Sequence, residues 1–425
     1  MIRDNKRRFF CDKNMTKHER TGIKQAEYIS EREPKRTRAF LGPPGTFTEE
    51  AAIKLTKDSN TVLVEANSIA EIFRLVQESV VTDAVVPIQN STDGDIKNTI
   101  DGLLQNPNVS ISGESIQDIR LYVYTAIGTS PSDIKRIVSK DTALRQSEKH
   151  MKELYPDIPP DNYIAINSTA LGLPIVVENR DTAAVAGPHA AESLGLTDKV
   201  NRSEESVEDN DNNATTFVII SKSEKQPEPT GNDKTTFIMD VNDTPGNLYS
   251  VLIALKEKGI NLNKIKNIKK DDGKMSFLVS IDGHQKDTQV KDALLGLNKL
   301  CPKLSVRGSY PKAKYTPRTT LRELDMPTAI ERIKKEAQNG TNTENQAIVV
   351  FTLPNETGSL VNALEPFAQM DVNLTALDSQ PSGLHDQYIF YLGYDKTTLT
   401  PEVQNHLLKE LATRCEQMIL LEEVV

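Results

Sequence analysis

Cysteine is scarce in this chain: Cys11, Cys301 and Cys415 are the three among 425 residues. An odd number, so widely separated, writes neither a disulfide framework nor a CxxC site, and it fits a reducing, cytoplasmic setting. The six histidines are equally dispersed. With no HExxH and no Cys/His cluster, no metal site and no cofactor is implied. Long apolar runs are missing as well. None approaches the roughly 20 residues of a bilayer-crossing helix, which argues against a membrane span. Basic excess is also absent, and the net charge of −9 argues against general nucleic-acid binding.

What is present reads as a globular chain of several domains. Hydrophobic residues make up 37% and charged residues 26% of 425 positions. That length exceeds what one core serves, so two to four domains are expected. Residues 1–37 stand apart. Through Arg38 there are twelve Lys/Arg against six Asp/Glu, leaving 39 basic and 54 acidic residues, about −15, for the rest. The stretch has little apolar periodicity, lacks the core of a secretion signal and is too acidic for a transit peptide. It reads as a basic, disordered arm.

From 38 to 222 short apolar runs alternate with helical stretches. RAFLG reads as a strand, and TEEAAIKLTK as a helix whose Thr48 and two acids suit an N-terminus. TVLVEA, DAVVPI, VSISGES, LYVYTAIG, KRIVS, NYIAI, TAAVAG and NATTFVIIS continue the series. Such alternation predicts α/β layers with ligands at strand carboxyl ends. DAVVPI then runs into QNSTDGD, a dense row of amides, hydroxyls and carboxylates. It is either a strand-to-loop turn or the floor of a polar pocket. Residues 201–214 are polar and acidic, an expected exposed loop, and 223–234 form a Pro/Gly/charge-rich linker.

Beyond the linker lies an internal repeat. DTPGNLYSVLIALKEKGINLNKI (243–265) matches NETGSLVNALEPFAQMDVNLTAL (355–377) at a constant offset of 112, pairing Gly246 with Gly358 and Asn261 with Asn373. Apolar strands flank each copy, and a helix and a strand close it. This βαββαβ order predicts ferredoxin-like sandwiches at 235–312 and 346–425. Residues 313–345 read as a linker with a short amphipathic helix, AIERIKKEAQ.

FLGPPGTFTEEAA, VVPIQNSTDGDI, IVSKDTALRQSEKH, NSTALGLPIVVENRDTAAVAGPHAAESLGL and NATTFVII, in this order, resemble the motifs of the prephenate dehydratase family. The two repeats resemble that family's ACT regulatory domain. The match covers nearly everything after residue 38 apart from linkers. The resemblance implies a two-lobed, periplasmic-binding-protein-like α/β catalytic domain at 38–222, followed by two α+β ACT domains. It also implies conversion of prephenate to phenylpyruvate, with loss of carbon dioxide and water, in phenylalanine biosynthesis. Phenylalanine would be the effector, and homo-oligomers, dimers or tetramers, would form through the ACT domains. Two such domains in one chain can also pair internally.

Carried over residue by residue, the resemblance makes Thr215 the donor to the departing hydroxyl, with Asn90, Ser139 and Gln146 fixing substrate oxygens. Thr46, Thr48, Gln89, Ser91, Thr92, Thr216 and Phe217 are further substrate contacts. Gly358-Ser359-Leu360-Val361 resembles the GALV loop and Asp378-Ser379-Gln380-Pro381 the ESRP motif. With Asn373, residues Gly358 to Val361, Asp378, Ser379 and Pro381 are expected to hold phenylalanine. In the first repeat KNIK (266–269) stands in place of ESRP. Taken singly, these polar residues have plain readings too: Thr215 as a strand threonine, Asn90 and Ser91 as turn formers, Ser139 as a helix cap, Gln146 as a solvated helix residue.

The chain departs from the family pattern at Gln89, usually glutamate, at Lys140-Asp141, usually His-Pro, and at Thr216, usually arginine. These departures keep two rivals open. One is a non-catalytic, amino-acid-responsive protein on a degenerate dehydratase fold. The other is a related lyase acting on arogenate or prephenate.

Overall fold

The computed structural model describes residues 36–56, 60–222, 226–269, 275–316, 345–381 and 387–421. The expected basic arm and the helix expected at 329–338 lie outside the described residues.

The first lobe is built from β1 (Thr37–Leu41), α1 (Phe47–Lys54), β2 (Val62–Ala66), α2 (Ile69–Gln77), β3 (Asp83–Asn90), β4 (Gly94–Asp95), α3 (Lys97–Gln105) and β5 (Val109–Asp118). Its helices follow local rules. Ser68 caps α2 by accepting from Glu71 N at 3.1 Å, and Ile69, Ile72, Phe73, Leu75 and Val76 recur at helical spacing and are buried. Each such side chain stabilises the lobe by about 1.5–3 kcal/mol.

The chain then crosses into a second lobe: β6 (Tyr122–Ala126), β7 (Arg136–Ser139), α4 (Asp141–Gln146), α5 (Glu148–Leu154), β8 (Tyr163–Ala165), α6 (Gly172–Glu178), β9 (Thr182–Ala186), α7 (Ala190–Ser193) and β10 (Val200–Arg202). It returns as β11 (Ala214–Lys222), which inserts between β3 and β5 in the first lobe's sheet, order β2-β1-β3-β11-β5. The second sheet runs β10-β6-β9-β7-β8. The returning segment corrects part of the expectation of an exposed loop at 201–214. Asn201, Arg202, Glu204, Glu205, Asn210 and Asp211 are exposed, but Val200–Arg202 is a strand, and Val207, Glu208, Asn212 and Asn213 are buried. Their polar groups pair the two crossing segments instead of meeting water. Leu121 N donates to Glu208 Oε2 at 2.9 Å, Val207 N to Leu121 O at 2.7 Å, and Arg120 pairs with Glu208.

The repeats give two sheets of identical order. The first comprises β12 (Asp233–Val241), α8 (Asn247–Lys256), β13 (Leu262–Lys269), β14 (Met275–Asp282), α9 (Thr288–Leu300) and β15 (Lys303–Pro311). The second comprises β16 (Gln346–Pro354), α10 (Ser359–Gln369), β17 (Leu374–Pro381), β18 (Gln387–Asp395), α11 (Pro401–Ala412) and β19 (Gln417–Leu421). Their strand orders are β13-β14-β12-β15 and β17-β18-β16-β19. Gly246 and Gly358 cap α8 and α10 at φ of 76° and 89°, a left-handed conformation that favours glycine. The edges β13 and β17 meet: Ile265 N donates to Ser379 Oγ at 2.9 Å and Asn267 N to Asp378 Oδ1 at 2.5 Å. One apolar cluster runs through both copies, from Phe237 and Leu252 to Phe351, Leu364 and Phe367. The repeats therefore pair within the chain.

The first repeat also docks on the first lobe, β15 against β5. Arg307 donates to Pro107 O at 2.9 Å, and Lys234 Nζ lies 3.0 Å from Glu114 Oε2. At Gly308, with φ +135°, a Cβ would stand 2.0 Å from Ile111 O. Backbone meets backbone there, and only glycine fits. Gly308→Ala is expected to destabilise the protein by about 3 kcal/mol or more. Gly231→Ala, at φ +82° with nothing within 4 Å, should cost about 1 kcal/mol of backbone strain. Denaturant unfolding of the two variants checks this, and equal shifts would contradict the close approach.

Candidate active site

Strands β1 and β3 are parallel and end at Leu41 and Asn90, while antiparallel β11 begins at Ala214. Their tips therefore gather at one edge of the first lobe, and this edge faces the second lobe. Asn90 organises it. Its buried Nδ2 donates to Thr215 Oγ1 at 2.9 Å, to Asn213 Oδ1 at 2.9 Å and to Ala214 O at 3.2 Å. Its Oδ1 accepts the amides of Thr92 and Asp93, each at 2.8 Å. Ser91 Oγ bridges the same strands, donating to Asn212 O at 3.0 Å and accepting from Ala214 N at 2.9 Å. The QNSTDGD stretch is thus a turn tied to β11 by side chains. Thr215 Oγ1 is held as an acceptor, so its hydroxyl proton is left to donate elsewhere.

The second lobe reaches this turn through α4. Arg145 donates to Asp93 Oδ1 at 3.1 Å, and Gln146 Nε2 donates to Asp93 Oδ2. Ser139 ends β7, just before α4. Its hydroxyl donates to Val185 O at 2.5 Å, and Lys140 occupies the helix-cap position without a side-chain bond, so Ser139 does not cap α4. Lys140 is exposed. On the first-lobe side Thr46 caps α1 and donates to Leu41 O at 3.0 Å, and Thr48 is buried in the first turn. Gly45, at φ +85°, lies against Ala170 and Ala190 of the second lobe. Gln89 donates to Asp95 Oδ1 at 3.1 Å, and Thr216 stands opposite it across the strand pair.

The structure thus gathers Asn90, Ser91, Thr92 and Thr215 on one lobe and Gln146 against them from the other. Phe217 is corrected: it is buried among Phe40, Ala51, Ala52 and Val85 beneath α1. An aromatic ring on that face removes more apolar surface from water in the core than in a polar cleft. Two residues had no role in the sequence reading. Asp93 clasps the two lobes, and Asn213 shares the Asn90 amide. The signal for Asn213 was its place two residues before Thr215 in NATTF. Asp93 lay within the QNSTDGD row, but nothing there showed that it reaches the second lobe.

A second kind of site lies between the repeats. One small pocket joins the Gly246 loop to Asn373 and Leu374. Its counterpart joins Gly358, Ser359, Leu360 and Val361 to Asn261 and Leu262. The two are related by the repeat: Asn373 donates to Asp243 Oδ1 and Asn261 to Asn355 Oδ1, both at 2.8 Å. The expected single phenylalanine site is therefore divided, with Asn373 in the opposite pocket from Gly358. Asp378 and Ser379 line neither pocket. They hold the β13–β17 seam, where edge-strand amides need acceptors, and burial pushes the Asp378 carboxyl up despite the Lys266 ammonium beside it.

Two α/β lobes, the strand tips of the first set against α4 of the second, joined to a pair of α+β repeats, define a two-lobed α/β protein with a paired α+β module. The chain belongs to the prephenate dehydratase family. A prephenate dehydratase family model matches residues 38–225. A Pseudomonas aeruginosa bifunctional chorismate mutase/prephenate dehydratase is 34% identical over 279 residues, 65% of this chain and 73% of the relative. The Arthrobacter aurescens prephenate dehydratase, solved in complex with L-phenylalanine, is 28% identical at a TM-score of 0.61, covering 72% of this chain and all of that one. GqqA, a quorum-quenching acylase, is 25% identical at a TM-score of 0.57, covering 65% of this chain and 98% of its own.

Asn90→Asp keeps shape but removes the donor, leaving a carboxylate against the Asn213 and Ala214 carbonyl oxygens. A loss of about 1–3 kcal/mol is expected, read as a lowered thermal midpoint. An unchanged midpoint would mean the Asn90 bonds do not organise the turn.

Proposed function

We propose that this chain is a prephenate dehydratase under phenylalanine control. The observation that carries the reading is the Asn90–Thr215 pair: the Asn90 amide holds Thr215 Oγ1 at 2.9 Å, and Gln146 faces the same turn. In the reaction the bond from ring to carboxylate breaks and its electron pair enters the ring. The hydroxyl leaves with the electrons of its carbon–oxygen bond, and carbon dioxide, water and phenylpyruvate result. Aromatisation drives the step, so a weak donor suffices. The Thr215 hydroxyl hydrogen-bonds the departing oxygen as its charge develops and keeps its own proton, and a proton from solvent completes the water. Gln146 and the Asn90 turn orient the substrate's oxygens, while buried Ser139, whose proton goes to Val185 O, braces the end of β7 behind them. Thr216 leaves no cation at the Ala214 end of β11, and Arg145, half exposed beside Asp93, is the cation for a substrate carboxylate. The family relatives support the reaction over the non-catalytic alternative.

The repeats act as ACT-type sensors in this reading. The phenylalanine complex of the Arthrobacter relative supports the effector, and the composite pockets are where it binds. A zwitterion leaving water needs matched polar groups; Asp243 and Asn373 provide them in one pocket, Asn261 and Asn355 in the other. The seam that subunits would share is used inside one chain.

Incubation with prephenate should yield phenylpyruvate, detected by its absorbance in base. Thr215→Val leaves Asn90 two other acceptors, so the variant should fold, while kcat falls by roughly a hundredfold or more. Near-normal kcat would return Thr215 to a strand role. Calorimetric titration should give two phenylalanine sites per chain, one lost in Gly246→Val and the other in Gly358→Val. Undiminished binding in both variants would move the effector elsewhere.

A further inference from the structure

The seam between the repeats lies against the catalytic turn, and the contact is ionic. Asp95 follows that turn directly and is buried, with 4% of its side chain exposed. Its Oδ1 accepts from Gln89 Nε2 and from Lys264 Nζ, and Lys266 Nζ lies 3.8 Å from its Oδ2. Both lysines belong to β13 in the first repeat. Lys266 in turn pairs with Asp378 of the second repeat at 2.8 Å. Two acids and two lysines thus form a compensated cluster that touches the first lobe and both repeats.

Two departures from the family pattern fall into place here. At 89 an amide donates to Asp95, which the usual glutamate carboxylate would repel. At 266 a lysine stands 112 positions before Asp378, so the ESRP acid of one copy faces a cation of the other. Paired copies with an acid at both positions would set like charges together, whereas the lysine makes the pairing complementary and aims a second cation at Asp95.

We propose that Lys264 and Lys266 are positioning residues of the dehydratase cleft, supplied by the repeat module. They hold Asp95, Asp95 holds Gln89, and the turn between Gln89 and Asp95 presents Asn90. The cleft's geometry is therefore set from the seam where the repeats meet. This rests on the dehydratase reading and gives its regulation a physical path, with Lys266 shared between Asp378 and Asp95.

The test compares wild type, Lys264→Met, Lys264→Arg, Asp95→Asn, the double variant Asp95→Asn/Lys264→Met, and Asp378→Asn. Each is measured by prephenate turnover and by hydrogen exchange of a peptide spanning 88–96, where the Thr92 and Asp93 amides rely on Asn90. Lys264→Met should lower kcat/KM by about tenfold or more, as loss of positioning does, and speed exchange in that peptide. Lys264→Arg should restore both. The double variant removes both charges and should fold even if Lys264→Met does not, and its loss should be no greater than that of Asp95→Asn alone, since the residues act as a unit. Asp378→Asn frees Lys266 for Asp95 and should slow exchange in the same peptide. The proposal is overturned by wild-type exchange in Lys264→Met, by losses that multiply in the double variant, or by an unaffected or faster-exchanging turn in Asp378→Asn. Absence of prephenate turnover in wild type would instead sink the dehydratase reading, and exchange would still decide the positioning role.

Discussion

The first lobe depends on one strand that arrives late. β11 pairs with β3 on one side and β5 on the other, so the sheet stays split until the chain has built the second lobe and returned. The Asn90 amide closes this join by gripping Asn213, Ala214 and Thr215 at the strand's first residues. The register that completes the core therefore also sets the candidate donor. Stability and chemistry share the same few bonds.

The remaining parts hang on this sheet unequally. The repeat module is fixed to β5 by a backbone contact at Gly308 and by the partly buried Lys234–Glu114 pair, in which each charge is compensated. The second lobe has a lighter attachment: the paired crossing segments near Arg120 and Glu208, the packing at Gly45 and the polar clasp at Asp93. Two charge-assisted bonds at a half-exposed arginine and a glutamine hold less firmly than interlocked strands.

The strands and their order along the chain were legible because apolar runs with turn residues between them have few other ways to be buried. The repeat was legible because Gly246 and Gly358 need a left-handed backbone at equivalent points, and the apolar spacing around them recurs. Asn90 and Thr215 could be named from motif resemblance. Their mutual bond could not, because it spans 125 positions and depends on strand register. Phe217 was misplaced because its motif neighbours are polar, while the side on which a strand residue points is settled by packing. Asp378 and Ser379 were read as ligand contacts because the motif travels with the pocket. Only the paired structure reveals them as seam residues. The polar 201–214 segment misled only at Glu208, Asn212 and Asn213: polarity usually marks solvent, as it does for its exposed residues, whereas these three are buried and Glu208 satisfies backbone between the lobes.

The internal pairing of the repeats has a consequence for dilution. Where two copies of a sensor meet between subunits, the interface exists only above a concentration set by their affinity, and an effector that binds there competes with dissociation. Here both faces sit on one chain and share one apolar cluster, so their encounter is intramolecular and their effective concentration is fixed by covalent connection. The composite pockets persist however few molecules are present, and a response routed through them is a property of the single chain.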